Sequence, residues 1–136
     1  MSLEAAREHL DLASQQRDRA ATDSWEPADP ASCVTNAFYA YENLIVAVAE
    51  SANKEWPRNH YKKAELAKQF AADGALKKDL SEEILRLNNL RKDVSYGEPG
   101  AKLRSEDLET IVSELEETIE AVEKIIGDLE AAEEEL

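Results

Sequence analysis

Apolar residues recur at helical spacing along most of this chain, and the breaks between the runs divide it into helices. Leu3, Ala6, Leu10 and Ala13 fall three or four residues apart, which predicts a helix from about Ser2 to Thr22, with Ser2 able to cap it. Trp25, Pro27 and Pro30 interrupt the pattern, so Asp23 to Pro30 reads as a connection. Asp29 is a good N-cap and Pro30 suits the first helical position, which starts a second helix that runs to about Ser51. Its stripe of Val34, Ala37, Phe38, Tyr41, Leu44, Ile45 and Val48 is wide, as expected of a central helix buried on more than one side.

Asn53 to Asn59, with Pro57, is a second connection. A shorter helix is predicted from His60 to Ala72, with Leu66 and Phe70 facing inward and Gly74 as the residue just past its end. A fourth helix follows from Leu76 or Ser81 to Tyr96, its apolar face made by Leu80, Ile84, Leu87, Leu90 and Val94. Gly97, Pro99 and Gly100 stop it. The last helix begins near Ser105, with Glu106, Asp107 and Glu109 favourably placed against its positive end. Leu108, Val112, Leu115, Ile119, Val122, Ile126 and Leu129 alternate by four and three residues, which is a heptad seam. Such a seam packs one helix into its own bundle or, through its distal part, against a second copy. Residues 131–136 form an acidic tail expected to fray. No strand pattern competes. The pattern predicts a single all-α domain over residues 1–136, an up-and-down bundle of four long helices and one short one.

Charge changes this picture more than composition does. The 136 residues carry a net charge of −14. Residues 54–104 hold twelve basic and eight acidic side chains, whereas residues 105–136 hold one basic and thirteen acidic. A strongly anionic surface argues against general nucleic-acid binding, where Lys and Arg contacts to phosphate supply the affinity. An anionic ligand, if one binds, belongs in the basic middle third. Cys33 is the sole cysteine, which excludes an intramolecular disulfide and a thiolate zinc cage. The first residues show neither the basic n-region nor the apolar h-region of a signal peptide, and no apolar run approaches the length of a membrane span. These features lead us to expect a cytoplasmic protein.

Candidate chemistry is sparse. There is no Gly-rich phosphate loop and no metal-ligand spacing of His and Cys, so no cofactor or metal is expected. His9 and His60 each read first as surface or packing residues. Glu42 stands out because it lies in the apolar second helix, where a partly buried carboxylate needs a partner such as Arg91. The stretch Leu87-Asn88-Asn89-Leu90-Arg91-Lys92-Asp93-Val94-Ser95-Tyr96-Gly97-Glu98-Pro99 closes a helix and enters a Gly/Pro turn. Read for structure, it is a lock. Tyr96 packs its ring and bonds its hydroxyl, and Arg91 or Lys92 favours the helix's negative end.

The same stretch resembles the HEPN family, whose helical bundles carry an Arg followed a few residues later by a His near the end of a late helix. Arg91 aligns with the family Arg, Lys92 stands at the common Asn, and Tyr96 takes the position of the His. Asn36-Ala37-Phe38-Tyr39-Ala40-Tyr41-Glu42-Asn43-Leu44 resembles the family's second helix, and Asn59-His60-Tyr61-Lys62-Lys63-Ala64-Glu65-Leu66 its third. The resemblance covers most of the chain and implies a symmetric homodimer. It also implies that active members cleave RNA without metal: the Arg holds a phosphate while the His moves protons for the attacking 2′-hydroxyl. Tyr, with a pKa of about 10, is a poor base at neutral pH. The expectation is therefore a non-catalytic protein that binds a nucleotide or a partner protein. Arg91, Lys92, Tyr96 and Glu42 form its ligand site. The setting the resemblance implies is a HEPN/nucleotidyltransferase pair of the toxin–antitoxin kind, or another stress or defence module. The alternatives are a ribonuclease in which Arg91 grips phosphate while Asp93, Tyr96 or His60 moves protons, and a purely structural bundle.

Overall fold

Side-chain caps set most of the helix starts. The Ser2 hydroxyl accepts from the Ala5 N–H at 3.0 Å and opens α1 (Leu3–Ser24). Asp29 accepts from the Ser32 N–H at 3.1 Å, with Pro30 in the first turn, and opens α2 (Pro30–Ser51). Asn59 accepts from the N–H groups of Tyr61 and Lys62 and opens α3 (His60–Ala72). Gly74 then takes φ +81°, a left-handed conformation that ends this helix at little steric cost. These three helices match the sequence expectation to within two residues.

The computed structural model describes residues 2–95 and 97–135, and these form an all-α helical bundle. α4 (Ser81–Leu90), α5 (Ala101–Arg104) and α6 (Leu108–Glu134) complete the helices, and a two-residue antiparallel ladder, β1 (Val94–Ser95) with β2 (Glu98–Pro99), lies between α4 and α5. α1, α2 and α6 pack mutually, while α4 packs on α2 and carries α3. α2 is the centre, as its wide stripe requires. Phe38, Leu44 and Ile45 are fully buried on it and Tyr41 nearly so. Burying each such side chain stabilises the fold by about 1.5–3 kcal/mol. No helix among the described residues is long and apolar enough to cross a membrane.

Three expectations change. The fourth helix stops at Leu90 instead of Tyr96, and Val94, placed in the core by the pattern, is 41% exposed. The cause is Asp93. Its backbone carbonyl accepts from Gly100 at 2.7 Å and its carboxylate from Leu103 at 3.1 Å, so the chain folds back after α4. Second, the chain between Gly100 and Ser105 forms the short α5. Ser105 bonds the Lys102 carbonyl at its end, and Asp107 caps α6. The expected four long helices and one short one are thus three long (22, 22 and 27 residues), two intermediate (13 and 10) and one very short (4). Third, the acidic stretch expected to fray continues α6 as far as Glu134.

The seam of α6 is used inside the chain. Leu108, Val112, Leu115, Ile119, Val122 and Ile126 are all buried, joined by Ile111, and Leu129 is left 39% exposed. Arg7 of α1 bonds both Glu123 and Glu130 along α6, which fastens the outer edge of that packing. At the far end of α2, Glu50 accepts from the Trp56 indole N–H at 3.0 Å and from the Ser2 N–H at 2.9 Å. This carboxylate ties the start of α1 to the loop before α3. The Trp56 bond, followed by that of Ser2, holds its carboxyl below the usual Glu range.

Two expectations follow from this packing. Leu115→Ala should cost about 2–5 kcal/mol in urea denaturation, and Leu129→Ala no more than about 0.5 kcal/mol; equal costs would contradict an internal seam that omits Leu129. Trp56→Phe keeps the ring but removes the donor to Glu50. A carboxyl held low stabilises the fold above its ordinary pKa and loses that contribution as the pH falls through its lowered value. The gap in Tm between wild type and Trp56→Phe should therefore be widest at neutral pH, shrink below about pH 4.3, and close on further acidification. A gap that widens in acid would refute the assignment.

Candidate functional site

Phe38 organises the one place where the sequence candidates meet. It lies on α2, fully buried, one helical turn before Glu42. The His60 ring, at the first position of α3, packs against it with centroids 5.2 Å apart and planes at 69°. The Arg91 guanidinium, at the end of α4, lies over the same ring at 4.8 Å and over Tyr39 at 5.8 Å. The Arg91 Nε donates to the side-chain oxygen of Asn88 at 2.8 Å, and Asn88 is only 1% exposed, so the guanidinium is held from beneath. Residues distant in sequence thus share one aromatic platform.

Glu42 is buried, and its partners are on α3. His60 Nδ1 is 2.6 Å from one carboxylate oxygen, and Lys63 Nζ is 3.8 Å from the other. The expected Glu42–Arg91 pair is therefore corrected. His60 and Lys63 lie three residues apart, on one face of α3, and reach the carboxylate together, whereas Arg91 is committed to Asn88 and the Phe38 ring. A buried carboxylate is costly unless paired and hydrogen-bonded, and these two partners meet that requirement.

The bond from Glu42 also fixes the imidazole. A carboxylate accepts, so His60 Nδ1 carries the proton and donates. Nε2 makes no hydrogen bond to any described residue, and the side chain is 37% exposed. Basic side chains lie on the neighbouring groups: Arg91 on the Phe38 ring that His60 also meets, and Lys63 on Glu42. Lys63, largely buried, lies over the Trp56 ring at 5.7 Å, and Lys92 sits over the Tyr61 ring at 5.9 Å. Arg58 and Lys62 flank His60 in sequence at the start of α3, where the helix dipole also favours negative charge. An oriented imidazole, the cations Arg91 and Lys92 and the exposed rings of Tyr39 and Tyr61 can hold a phosphate-bearing ligand. They also supply a nitrogen able to act as base or nucleophile.

The remaining candidates lie elsewhere. Asp93 faces the turn after α4 and serves Leu103 and Gly100. Tyr96, the residue that stands at the family's His, falls outside the described residues. His9 is bonded to Asn43 at 2.9 Å and lies edge-on to Trp56, on α1. The Cys33 thiol is buried, which, with Asp23 and Asp29 nearby, pushes it up to about 12 and leaves it inert as a nucleophile. Among the described residues, no group of three or more His, Cys, Asp or Glu side chains could hold a metal ion. The sequence reading missed Asn88, Lys63 and the Phe38 platform. The i, i+3 spacing of Asn88 with Arg91 and of His60 with Lys63 was the signal available for them.

Fold and site together define a helical-bundle protein with a cation–aromatic surface site built around a His–Glu pair. No family model matches the sequence, and no curated protein or solved structure matches it.

The turn that carries Arg91 and Lys92 toward this site can be tested directly. A Cβ at Gly100 would fall 2.1 Å from an Asp93 carboxylate oxygen, which cannot swing away without giving up the Leu103 N–H. Gly100→Ala should cost about 1–3 kcal/mol. The double variant with Asp93→Ala should be little worse than Asp93→Ala by itself. Fully additive losses would show that the two positions do not meet.

Proposed function

We propose that this protein is a HEPN-like, non-catalytic binding module that holds a phosphate-bearing nucleotide on the face formed by Arg91, Lys92, His60 and Tyr61. The observation that carries the reading is the shared Phe38 ring. Arg91, buttressed by Asn88, and His60, buttressed by Glu42, lie on one aromatic platform with the ring of Tyr39 beside it, and the neighbouring Lys92 lies over Tyr61. Guanidinium and ammonium groups grip phosphate, and an exposed tyrosine face accepts a base. The HEPN resemblance adds the proposed setting: a homodimer paired with a nucleotidyltransferase-type partner in a stress or defence module. Because α6 spends its apolar seam within the chain, such a dimer would use another face.

A second reading is favoured by one specific observation. His60, held by the buried Glu42 with Nε2 turned away, has the geometry of a general base, and Arg91 is near enough to steady a phosphate. On that reading the protein is a metal-independent ribonuclease in which His60 does the work the family assigns to the residue at Tyr96.

One pair of assays separates them. AMP binding is followed by calorimetry, and RNA cleavage by single-turnover kinetics in EDTA, for wild type, Arg91→Ala, His60→Ala and Tyr96→His. The proposal expects AMP binding that weakens at least about tenfold in Arg91→Ala, the loss of one charge-assisted contact, with no cleavage by wild type. Cleavage by wild type that both Arg91→Ala and His60→Ala abolish would establish the ribonuclease instead. Neither binding nor cleavage would leave a structural bundle.

A further inference from the structure

We propose that His60 is a phosphoryl acceptor, its Nε2 taking a phosphoryl group from an acyl phosphate. The inference rests on reading this face as a phosphate site and goes beyond it by adding a covalent step.

Three features single out this imidazole. Glu42 engages Nδ1 at 2.6 Å, so the lone pair stands on Nε2, the nitrogen without a hydrogen-bond partner among the described residues. The ring is 37% exposed while its orienting carboxylate is 6% exposed, so a phosphoryl donor can approach the nitrogen but not the group that aims it. The surroundings favour an anionic electrophile. Arg91 lies on the same Phe38 ring, and Lys63 lies 3.8 Å from Glu42. Those cations stabilise the negative oxygens of a phosphoryl group as it transfers. His9 lacks this arrangement. Its Nδ1 meets the neutral side-chain oxygen of Asn43, and its ring faces Trp56.

The step balances without a further reactant. The Nε2 lone pair attacks phosphorus, the bond between phosphorus and the acyl oxygen breaks, and the carboxylate leaves with that electron pair. No proton is lost. Nδ1 keeps its hydrogen, and the positive charge that develops on the ring is met by the Glu42 carboxylate. The product is an Nε2-phosphohistidine on the ring that shares Phe38 with Arg91.

The test uses the full chain and acetyl phosphate as donor. The protein is digested at alkaline pH, where the phosphorus–nitrogen bond survives, and the His60 and His9 peptides are quantified by mass spectrometry over time. His60 is expected to gain phosphoryl at least about tenfold faster than His9, the scale on which an orienting carboxylate acts on an imidazole. Glu42→Gln should bring His60 down toward the His9 rate, and Arg91→Ala should slow it while leaving His9 unchanged. The comparison of the two histidines in wild type needs no substitution, so a variant that folds poorly does not decide the matter. Equal rates at His9 and His60, or no adduct at His60, overturn the inference. AMP calorimetry on the same preparation keeps the two readings apart. Binding of AMP without a His60 adduct sinks the acceptor role but leaves the nucleotide site. An adduct without AMP binding leaves the acceptor role and removes the nucleotide.

Discussion

A carboxylate buried in the middle of an apolar helix has to be paired, and the pairing of Glu42 arranges much of what surrounds it. α2 is packed by α1, α6 and α4, and Glu42 is one of the few charged side chains buried on it. α3 leans chiefly on α4 and meets α2 more sparsely. The bonds from His60 and Lys63 to Glu42 therefore decide where the N-terminus of α3 sits. Once His60 is held there, its ring closes one side of Phe38, and Arg91 can cover the rest of that platform only from the end of α4. Buried pairs of this kind are poor sources of net stability compared with apolar residues of the same volume. Their value here is positional, because a satisfied carboxylate aims an imidazole that would otherwise rotate.

The charge distribution follows the same division of labour. The long outer helix α6 carries ten of the thirty acidic residues against a single basic one, with Arg7 binding two of its glutamates from α1. Arg86 likewise spans Glu83 and Glu106, fastening α4 to the chain just before α6. The basic residues of the middle third are spread over α3, α4, α5 and the connections between them. Arg91, at the end of α4, lies over Phe38, while Lys63 of α3 reaches Glu42 one turn along α2 and Lys92 lies over Tyr61. A protein of net charge −14 can in this way present a locally cationic surface while most of its exterior repels polyanions. Such a surface suits a small phosphate ligand better than a long nucleic acid.

How much of this was legible beforehand depends on the range of the interaction. The starts of α1, α2 and α3 follow from Ser2, Asp29 with Pro30, and Asn59, because a cap acts on backbone within three residues of itself. The end of α4 was not legible. The apolar period runs on through Val94, and what stops the helix is Asp93 reaching Leu103, a contact across ten residues that periodicity does not encode. The buried acid at Glu42 was visible from its apolar neighbours, and so was its need for a partner. The identity of that partner was not, since Arg91, His60 and Lys63 are equally plausible until the docking of α3 is known. The resemblance to HEPN domains drew the eye to Arg91 and Tyr96. Of the proton-transfer alternatives named beside Arg91, His60 is the one that shares the Phe38 ring with that arginine.

The central claim is that Glu42 holds His60 in one tautomer, with Nε2 making no hydrogen bond to the described residues. Long-range proton–nitrogen correlation NMR on the nitrogen-labelled protein, at a pH where the ring is neutral, reads this directly. The account predicts that His60 shows a protonated Nδ1 and a bare Nε2, and that Glu42→Gln loosens this preference while the His9 signals stay in place. A His60 ring that samples both tautomers as a free imidazole does, or that carries its proton on Nε2, would contradict the account.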